Sequence, residues 1–456
     1  MVNVKVMRCW SATLTGVGFV GAVSSAAFAA DVIAPVPPVV TPPPAVQQAL
    51  GGDWQGLYFG AHADFGLSNL KFEINEDDFS FDGVGGRGFW GGLLAGYDLR
   101  LGQRWVGGVE IDGSVGGGGP TLEASDDDDF VSAWIDTDWT ASAKVRLGYL
   151  TSPDTLLYMS VGGTIAHANY GYEIFIDPDS DADEVDDTLY GLVLAAIGAE
   201  TRVSPNVRFR YEYLTSFLQP QSFDIGGDEL VVTPLTGTAR VAAIVDIGDT
   251  GQDGGFAGFG YAPDTWTGVH VGGAVGHSMA VTRYGFEEDP VAISFDGFGG
   301  DGFVGGVFGG FDVQVGPSLV LGIDGGYYWT NVRTEAEYGG GVGMAYVSHD
   351  TFYDARVRVG YVANPSTMIY GLVGWARVNG SVYAGDDVDV YADESFDRDG
   401  VEFGGGIETW VTENLTIRAE YTRTIFNDEV DLLPPEFGHL TTHVGNATLA
   451  AVFHLG

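Results

Sequence analysis

The sequence predicts an all-β protein built as two tandem eight-stranded antiparallel transmembrane β-barrels of the up-and-down type. Three observations predict this fold: the chain repeats itself once, apolar side chains alternate with a period of two, and short turns alternate with long polar connections. The same strands could also close as one sixteen-stranded barrel, which is the alternative fold.

A series of short motifs recurs in the same order in the two halves of the chain. We therefore predict one barrel unit at 54–248, a glycine-rich linker at 249–265 and a second barrel unit at 266–456. The linker is longer than the other turns on that side, which favours two barrels over one. The matching segments of the two halves begin at Trp54 and Trp266, Gly91 and Gly305, Val145 and Val357, and Arg210 and Arg418.

Each predicted strand has one apolar face and one face of glycine and charged residues. In the first strand, Leu57 and Phe59 lie on one face and Tyr58 and His62 on the other. A small barrel fills its lumen with side chains, so we expect the charged face to line the lumen and the apolar face to contact lipid. The predicted lumen charge network, which is structural, comprises Glu110, Lys144, Arg146, Glu200, Arg208, Arg210, Glu212, Asp324, Arg356, Arg358, Glu408, Arg418 and Glu420.

Aromatic residues near the strand ends support the lipid-facing assignment. Trp105, Tyr149, Tyr361 and Tyr421 share the apolar face, as residues of an interfacial aromatic girdle do. A secreted water-soluble barrel or sandwich, with the two faces inverted, is the alternative interpretation.

Long polar connections alternate with short turns along each unit. Short turns of this kind fall at 102–104, 151–154 and 203–206 in the first unit. In transmembrane barrels the short turns lie on the periplasmic side and the long loops outside. The predicted long loops cover 66–87, 115–136, 171–187, 219–235, 281–301, 330–350, 383–399 and 425–442.

The N-terminal segment predicts export. Lys5 and Arg8 precede an apolar stretch and a small-residue ending at Ala29, so we expect residues 1–29 to be a cleaved signal peptide. The only cysteine, Cys9, lies within it. Residues 30–53 are rich in proline and are predicted to form a periplasmic spacer.

The charge balance limits the partners. Acidic residues outnumber basic residues 62 to 20, a formal net charge of -42 that repels phosphate backbones, so we expect no nucleic-acid partner. The eight histidines have no metal-ligand spacing and no nucleophile motif is present, so we assign no catalytic, cofactor-binding or metal residue and predict no enzyme. The acidic segments 126–129, 177–187 and 386–389 are candidates for loose binding of divalent cations, although 177–187 lacks the EF-hand glycine and glutamate.

Several motifs together carry a family resemblance. They are the mature start Ala30-Asp31-Val32, the Trp-x-Gly openings at Trp54 and Trp266, and the repeated Val-Arg-x-Gly-Tyr and Arg-x-Glu-Tyr strands. In these features the chain resembles the alphaproteobacterial porin-family outer-membrane proteins, which are small immunogenic eight-stranded barrels. Family members usually have one barrel, whereas this chain has two units.

The resemblance implies a location in the outer membrane of a Gram-negative bacterium and a role in envelope integrity and surface contact. It also implies lipid, lipopolysaccharide and the β-barrel assembly machinery as partners, and haem binding or pore activity in some members. The expected function is therefore structural and surface-interactive. The alternatives are a porin that passes small solutes and a surface receptor or adhesin whose loops bind cations or haem.

Overall fold

The part of the chain that can be described begins after the predicted export and spacer segments. The predicted signal peptide at 1–29, the spacer at 30–53 and most of the linker at 249–265 lie outside it. The structure, a computed structural model, describes residues 54–74, 79–125, 130–176, 179–225, 228–247, 260–288, 291–339, 342–386, 389–429 and 439–455.

The first half consists of strands joined by tight turns at one end and longer hairpins at the other. Proline has no N–H to donate to a ladder, and two of the eight long strands are interrupted at Pro120 and Pro220. The ten segments that result are β1 (Gly56–Ile74), β2 (Phe79–Arg100), β3 (Trp105–Gly119), β4 (Thr121–Ser125), β5 (Phe130–Ser152), β6 (Thr155–Ile176), β7 (Asp179–Ser204), β8 (Val207–Leu218), β9 (Gln221–Ile225) and β10 (Asp228–Ile247).

The second half has eight uninterrupted strands in the same order. They are β11 (Gly268–Glu288), β12 (Val291–Val315), β13 (Leu319–Tyr338), β14 (Gly343–Asn364), β15 (Thr367–Asp386), β16 (Val390–Thr412), β17 (Leu415–Glu429) and β18 (His439–Leu455). Among the described residues there is no helix long and apolar enough to cross a membrane.

Every strand pairs antiparallel with its neighbours, and the edge strands of each half pair with each other. In the first half β1 pairs with β2 and also with β10, from Leu57 opposite Ile247 to Ile74 opposite Leu230. In the second half β11 pairs with β12 and also with β18. We call strands β1–β10 ring 1 and strands β11–β18 ring 2. The predicted antiparallel all-β barrel fold is confirmed.

The two faces of the strands differ as the alternation predicts. On the outer surface Leu93 is 71% exposed and Phe303 is 75% exposed, whereas the inward-facing Arg210 and Arg418 are buried. Ionic groups are therefore inside and apolar groups outside, the reverse of a water-soluble protein. Tyr421 differs from the prediction: it is buried against the other ring and is not part of an exposed girdle.

The predicted long loops prove to be strand over most of their length. The loop predicted at 66–87 is strand to Ile74 and again from Phe79, and the second half shows the same extension. A hairpin can continue its backbone pairing after its side chains become polar, so side-chain polarity alone misplaced the strand ends. Strands of 19 to 26 residues, such as β1 and β7, exceed the roughly 9–11 residues needed to span a bilayer.

Candidate functional site

The charged side chains inside ring 1 form a chain of alternating arginines and carboxylates near the short turns. Arg146 of β5 donates from Nε to Asp98 Oδ1 at 2.8 Å and also contacts Glu200 of β7. Arg210 of β8 donates to Glu200 Oε1 and to Glu110 Oε1 of β3, each at 2.8 Å. All five residues are at most 5% exposed. Their charges are therefore paired away from both water and lipid, as buried ions require.

Further basic groups extend this series of ion pairs toward both ends of ring 1. Toward the short turns, Arg208 Nη1 lies 2.6 Å from Glu200 Oε2. In the opposite direction, Lys144 Nζ lies 3.3 Å from Glu110 Oε1 and 3.0 Å from Asp112 Oδ2. Glu212, the remaining member of the predicted ring 1 network, lies 3.9 Å from Lys144 and is fully buried.

Above Lys144, ring 1 contains one more ion pair. Arg240 of β10 donates from Nε and Nη2 to the two carboxylate oxygens of Asp64, each at 2.8 Å, and its Nη1 lies 3.0 Å from Asp112. His62 Nδ1 lies 2.9 Å from the same Asp64 carboxylate. His62 is thus part of the ionic network of the lumen.

Ring 2 contains the same alternating series of arginines and carboxylates, formed by the corresponding residues. Arg358 of β14 donates to Asp312 Oδ1 at 2.9 Å and to Glu408 Oε2 at 2.8 Å. Arg418 of β17 donates to Glu408 Oε2 and to Asp324 Oδ2, each at 3.0 Å. We call this set of five residues, and the corresponding five in ring 1, the ionic plugs.

The surroundings of the ring 2 plug differ from those in ring 1. Arg356 Nη1 lies 2.9 Å from Glu420, which also accepts a hydrogen bond of 2.5 Å from the Tyr370 hydroxyl. His270, which stands where ring 1 has Tyr58, lies 2.7 Å from Asp324 and 3.3 Å from Asp312. Both predicted networks are thus buried and internally paired.

Aromatic rings cover the guanidinium groups of both plugs. Arg146 lies 4.9 Å from the ring centroid of Tyr58 and 5.1 Å from that of Tyr158, and Arg418 lies 4.7 Å from that of Phe308. Cation–π contacts of this kind are strongest where water is excluded. The predicted list omitted these rings and the plug carboxylates Asp98 and Asp312. The recurrence of Asp98 and Asp312 at the same place in the repeat was the signal that could have added them.

Toward the long hairpins the two lumens have different contents. In ring 1 a cavity of about 80 Å³ is lined by Trp90 and Arg240 and by hydroxyl groups. In ring 2 the same region is filled by a cluster that includes Tyr328, Phe352 and Phe426, leaving a cavity of about 20 Å³. The smaller cavity has room for about one water molecule. The hydroxyl groups in ring 1 belong to Ser68, Thr137, Thr140, Ser142, Thr164, Ser216, Thr236 and Thr238.

An exposed ion pair joins β15 and β16 on the outer surface of ring 2. Arg377 donates to the two oxygens of Asp399 at 2.8 and 2.7 Å, and the exposed Trp375 donates to the same carboxylate at 3.1 Å. The hydrogen bond from Arg377 holds the pKa of the Asp399 carboxyl below its ordinary value.

The candidate cation sites fall largely outside the described residues. Residues 126–129, 177–178 and 387–388 are not described, and neither are the side chains of 179–187. Across the described part of the chain, no group of three or more acidic, histidine or cysteine side chains could hold a metal ion.

Comparison with known proteins relates this chain to outer-membrane barrels. The model of the outer membrane protein beta-barrel domain matches residues 254–453. The 31 kDa outer-membrane immunogenic protein of Brucella melitensis is 30% identical over 173 residues, which cover 35% of this chain and 71% of that protein. The 22 kDa outer membrane protein of Rhizobium leguminosarum is 33% identical over 167 residues, which cover 36% of this chain and 66% of that protein.

The solved structure of the Ralstonia pickettii toluene transporter TbuX aligns with this chain over most of the length of both proteins. It is 11% identical and aligns over 88% of this chain and 90% of its own, with a TM-score of 0.25. A score this low carries no inference about function.

Proposed function

This chain belongs to the outer-membrane β-barrel family that includes the Brucella 31 kDa outer-membrane immunogenic protein, and from that premise we propose a structural and surface-contact role in the cell envelope. The proposed role is passive and non-catalytic. The ionic plugs support it, because every arginine of a plug is held by carboxylates of the same lumen.

The proposal includes two separate barrels in one chain. It is supported by the ladders that join β1 to β10 and β11 to β18, since the first and last strands of each half then pair with each other. An eight-stranded barrel has an interior just wide enough for side chains to fill. A sixteen-stranded barrel would instead enclose an aqueous channel.

The single observation that carries the proposal is that buried ion pairs span both lumens. A solute crossing ring 1 would have to separate Arg146 and Arg210 from Glu200, and one crossing ring 2 would have to separate Arg358 and Arg418 from Glu408. Breaking buried ion pairs costs about 3–5 kcal/mol each. Passive conduction through either lumen is therefore strongly disfavoured.

Conductance measurements test this proposal. The mature chain, residues 30–456, is reconstituted into planar lipid bilayers beside a sixteen-stranded porin as the control for sensitivity. We expect near silence from this protein under conditions in which the control gives steady openings. Large steady openings from the mature chain would contradict the proposal and favour a single wide pore.

The proposed partners follow from the location. We propose export by cleavage of residues 1–29, insertion by the β-barrel assembly machinery, and contact with lipid and lipopolysaccharide along the apolar surface. The hairpins beyond the bilayer would carry the surface contacts, with divalent cations at the acidic segments. Shortening the 171–187 hairpin and measuring cation binding and cell adhesion would test this part of the proposal; unchanged values in both assays would contradict it.

A further inference from the structure

The outer surfaces of the two rings meet along one face, where corresponding residues touch each other. Thr155 Oγ1 of β6 lies 2.6 Å from Thr367 Oγ1 of β15. Tyr213 of β8 stacks on Tyr421 of β17, with ring centroids 6.1 Å apart. Each pair occupies the same place in the sequence repeat. A residue that touches its own counterpart lies on a two-fold axis.

Contacts away from this axis occur in reciprocal pairs. Thr151 Oγ1 of ring 1 lies 3.2 Å from Thr409 Oγ1 of ring 2. On the other side of the axis, Asn364 Nδ2 of ring 2 donates to Thr201 Oγ1 of ring 1 at 2.6 Å. Thr201 corresponds to Thr409, and Asn364 corresponds to Ser152, the neighbour of Thr151. The rings are thus related by an approximate two-fold rotation.

Two corresponding glycines allow the close approach at the middle of this face. A β-carbon at Gly237 would overlap the Tyr213 hydroxyl and the sulfur of Met279 in ring 2. A β-carbon at Gly445 would overlap the Tyr421 hydroxyl and lie 3.2 Å from a methyl group of Leu67 in ring 1. Leu67 and Met279 also correspond in the repeat, so this contact is reciprocal as well.

At its short-turn end the face consists of buried threonines. Thr155, Thr201, Thr367 and Thr409 point outward from the rings yet are 0% exposed, whereas the outward-facing Val109 is 56% exposed. The hydroxyl of Thr155 also lies 2.9 Å from that of Thr201, and the hydroxyl of Thr367 donates to Thr409 at 3.0 Å. These four hydroxyl groups lie beside the short turns, beyond the level of Tyr149 and Tyr361, and each has a hydrogen-bond partner within the contact.

We propose that this face is a barrel-pairing surface, and that the partner it fits is a second barrel of the same type in the plane of the membrane. In this chain the partner is the other ring. An isologous face is complementary to itself, so the contacts do not depend on the linker that joins the rings. This inference goes beyond the envelope role and stands whether or not the barrels conduct.

The test uses the full mature chain with a specific protease site placed in the linker. Its only native cysteine, Cys9, is outside the mature chain, so a double variant Thr155→Cys/Thr367→Cys contains a single possible disulfide. The matched control is Val109→Cys/Ile323→Cys, which alters corresponding outward residues that are 56% and 60% exposed. Both pairs leave the ionic plugs intact. Resistance to SDS before heating verifies that each sample is folded.

After oxidation and cleavage of the linker, we expect the Thr155→Cys/Thr367→Cys halves to run as one band until a reductant is added. The control halves should separate without reductant. In the cysteine-free chain, a tag on one half should recover the other half from detergent after cleavage. The proposal is overturned if folded Thr155→Cys/Thr367→Cys halves separate like the control, if the control cross-links equally, or if the cysteine-free halves part after cleavage.

Discussion

The lumens of the two rings share the same plug but differ in what lies above it. Both plugs contain two arginines held by three carboxylates, with Glu200 and Glu408 in corresponding central positions. Above the plug, ring 1 contains Thr140 where ring 2 contains Phe352. The upper part of ring 1 therefore holds a cavity lined by hydroxyl groups, whereas in ring 2 aromatic side chains fill this space beside the ion pairs of Arg356.

The comparison indicates which part of a small lumen is constrained. Buried charges must be matched group by group, so removing one member strands the others. Space beside the plug can be filled either by hydroxyl groups with water or by aromatic rings, since both satisfy packing and hydrogen bonding. We infer that the plug is required for the fold of each ring and that the upper lumen is replaceable.

The largest effect is expected from removing the central carboxylate of either plug. Glu200→Ala would remove a carboxylate that pairs with Arg146, Arg208 and Arg210, whereas Glu408→Ala would remove one that pairs with Arg358 and Arg418. We expect each to lower the free energy of unfolding by about 3–5 kcal/mol or more, with Glu200→Ala the more severe. Urea unfolding in lipid vesicles measures this. A larger loss for Glu408→Ala would show that the number of arginines paired with the removed carboxylate does not set the cost.

The second effect concerns the upper lumen. Phe352 is 4% exposed and packs on Phe426, with ring centroids 6.2 Å apart. We expect Phe352→Ala to cost about 3–5 kcal/mol because it leaves a cavity, and Thr140→Ala in ring 1 to cost no more than about 1 kcal/mol. The same urea unfolding compares them. Equal losses would mean that ring 1 is packed as tightly as ring 2.

A third, smaller effect concerns the ion pair between Arg240 and Asp64 in ring 1. Arg240 lies beside the cavity, where water can reach the groups left behind, so we expect Arg240→Thr to cost about 1–3 kcal/mol. Ring 2 has Gly276 and Thr448 at the places of Asp64 and Arg240. The double variant Asp64→Gly/Arg240→Thr should therefore recover part of the loss. If the double variant were less stable than Arg240→Thr, the pairing of these two residues would not explain the effect.

The smallest effect is expected outside the lumens, at Arg377 and Asp399. A carboxyl whose folded pKa is lowered stabilises the protein above its ordinary pKa and loses that contribution as pH falls through the lowered value. Because both groups are exposed, we expect Arg377→Gln to be only slightly less stable than the parent at pH 7, and we expect this small difference to disappear as pH falls below about 4. Urea unfolding at pH 7 and pH 3 checks this. If Arg377→Gln lowered the free energy of unfolding at pH 7 as much as a plug variant does, the exposed and the buried ion pairs would not differ in their contribution to stability.

Sequence alternation predicted the strands and the inward position of the charges because parity depends only on the period of two. It could not predict which arginine meets which carboxylate. Those partners depend on the stagger between neighbouring strands, as where Arg210 opposes Glu200 across the β7–β8 ladder. It also could not separate Tyr421, buried between the rings, from Tyr361, which is 56% exposed, since both point outward.

Strands of different rings pair with each other at the hairpin end, beyond Pro120. Pro120 ends β3, and the following β4 pairs with β12 of the other ring from Leu122 opposite Phe295 to Ser125 opposite Ala292. Ring 2 has Thr334 at the corresponding place, within the continuous β13. The uninterrupted β13 nevertheless makes the reciprocal contact, since Ala336 lies opposite Phe81 and Glu337 opposite Ser80 of β2. The seam at the hairpin end therefore occurs twice per chain, and a molecule that recognises it would find two related sites on each chain.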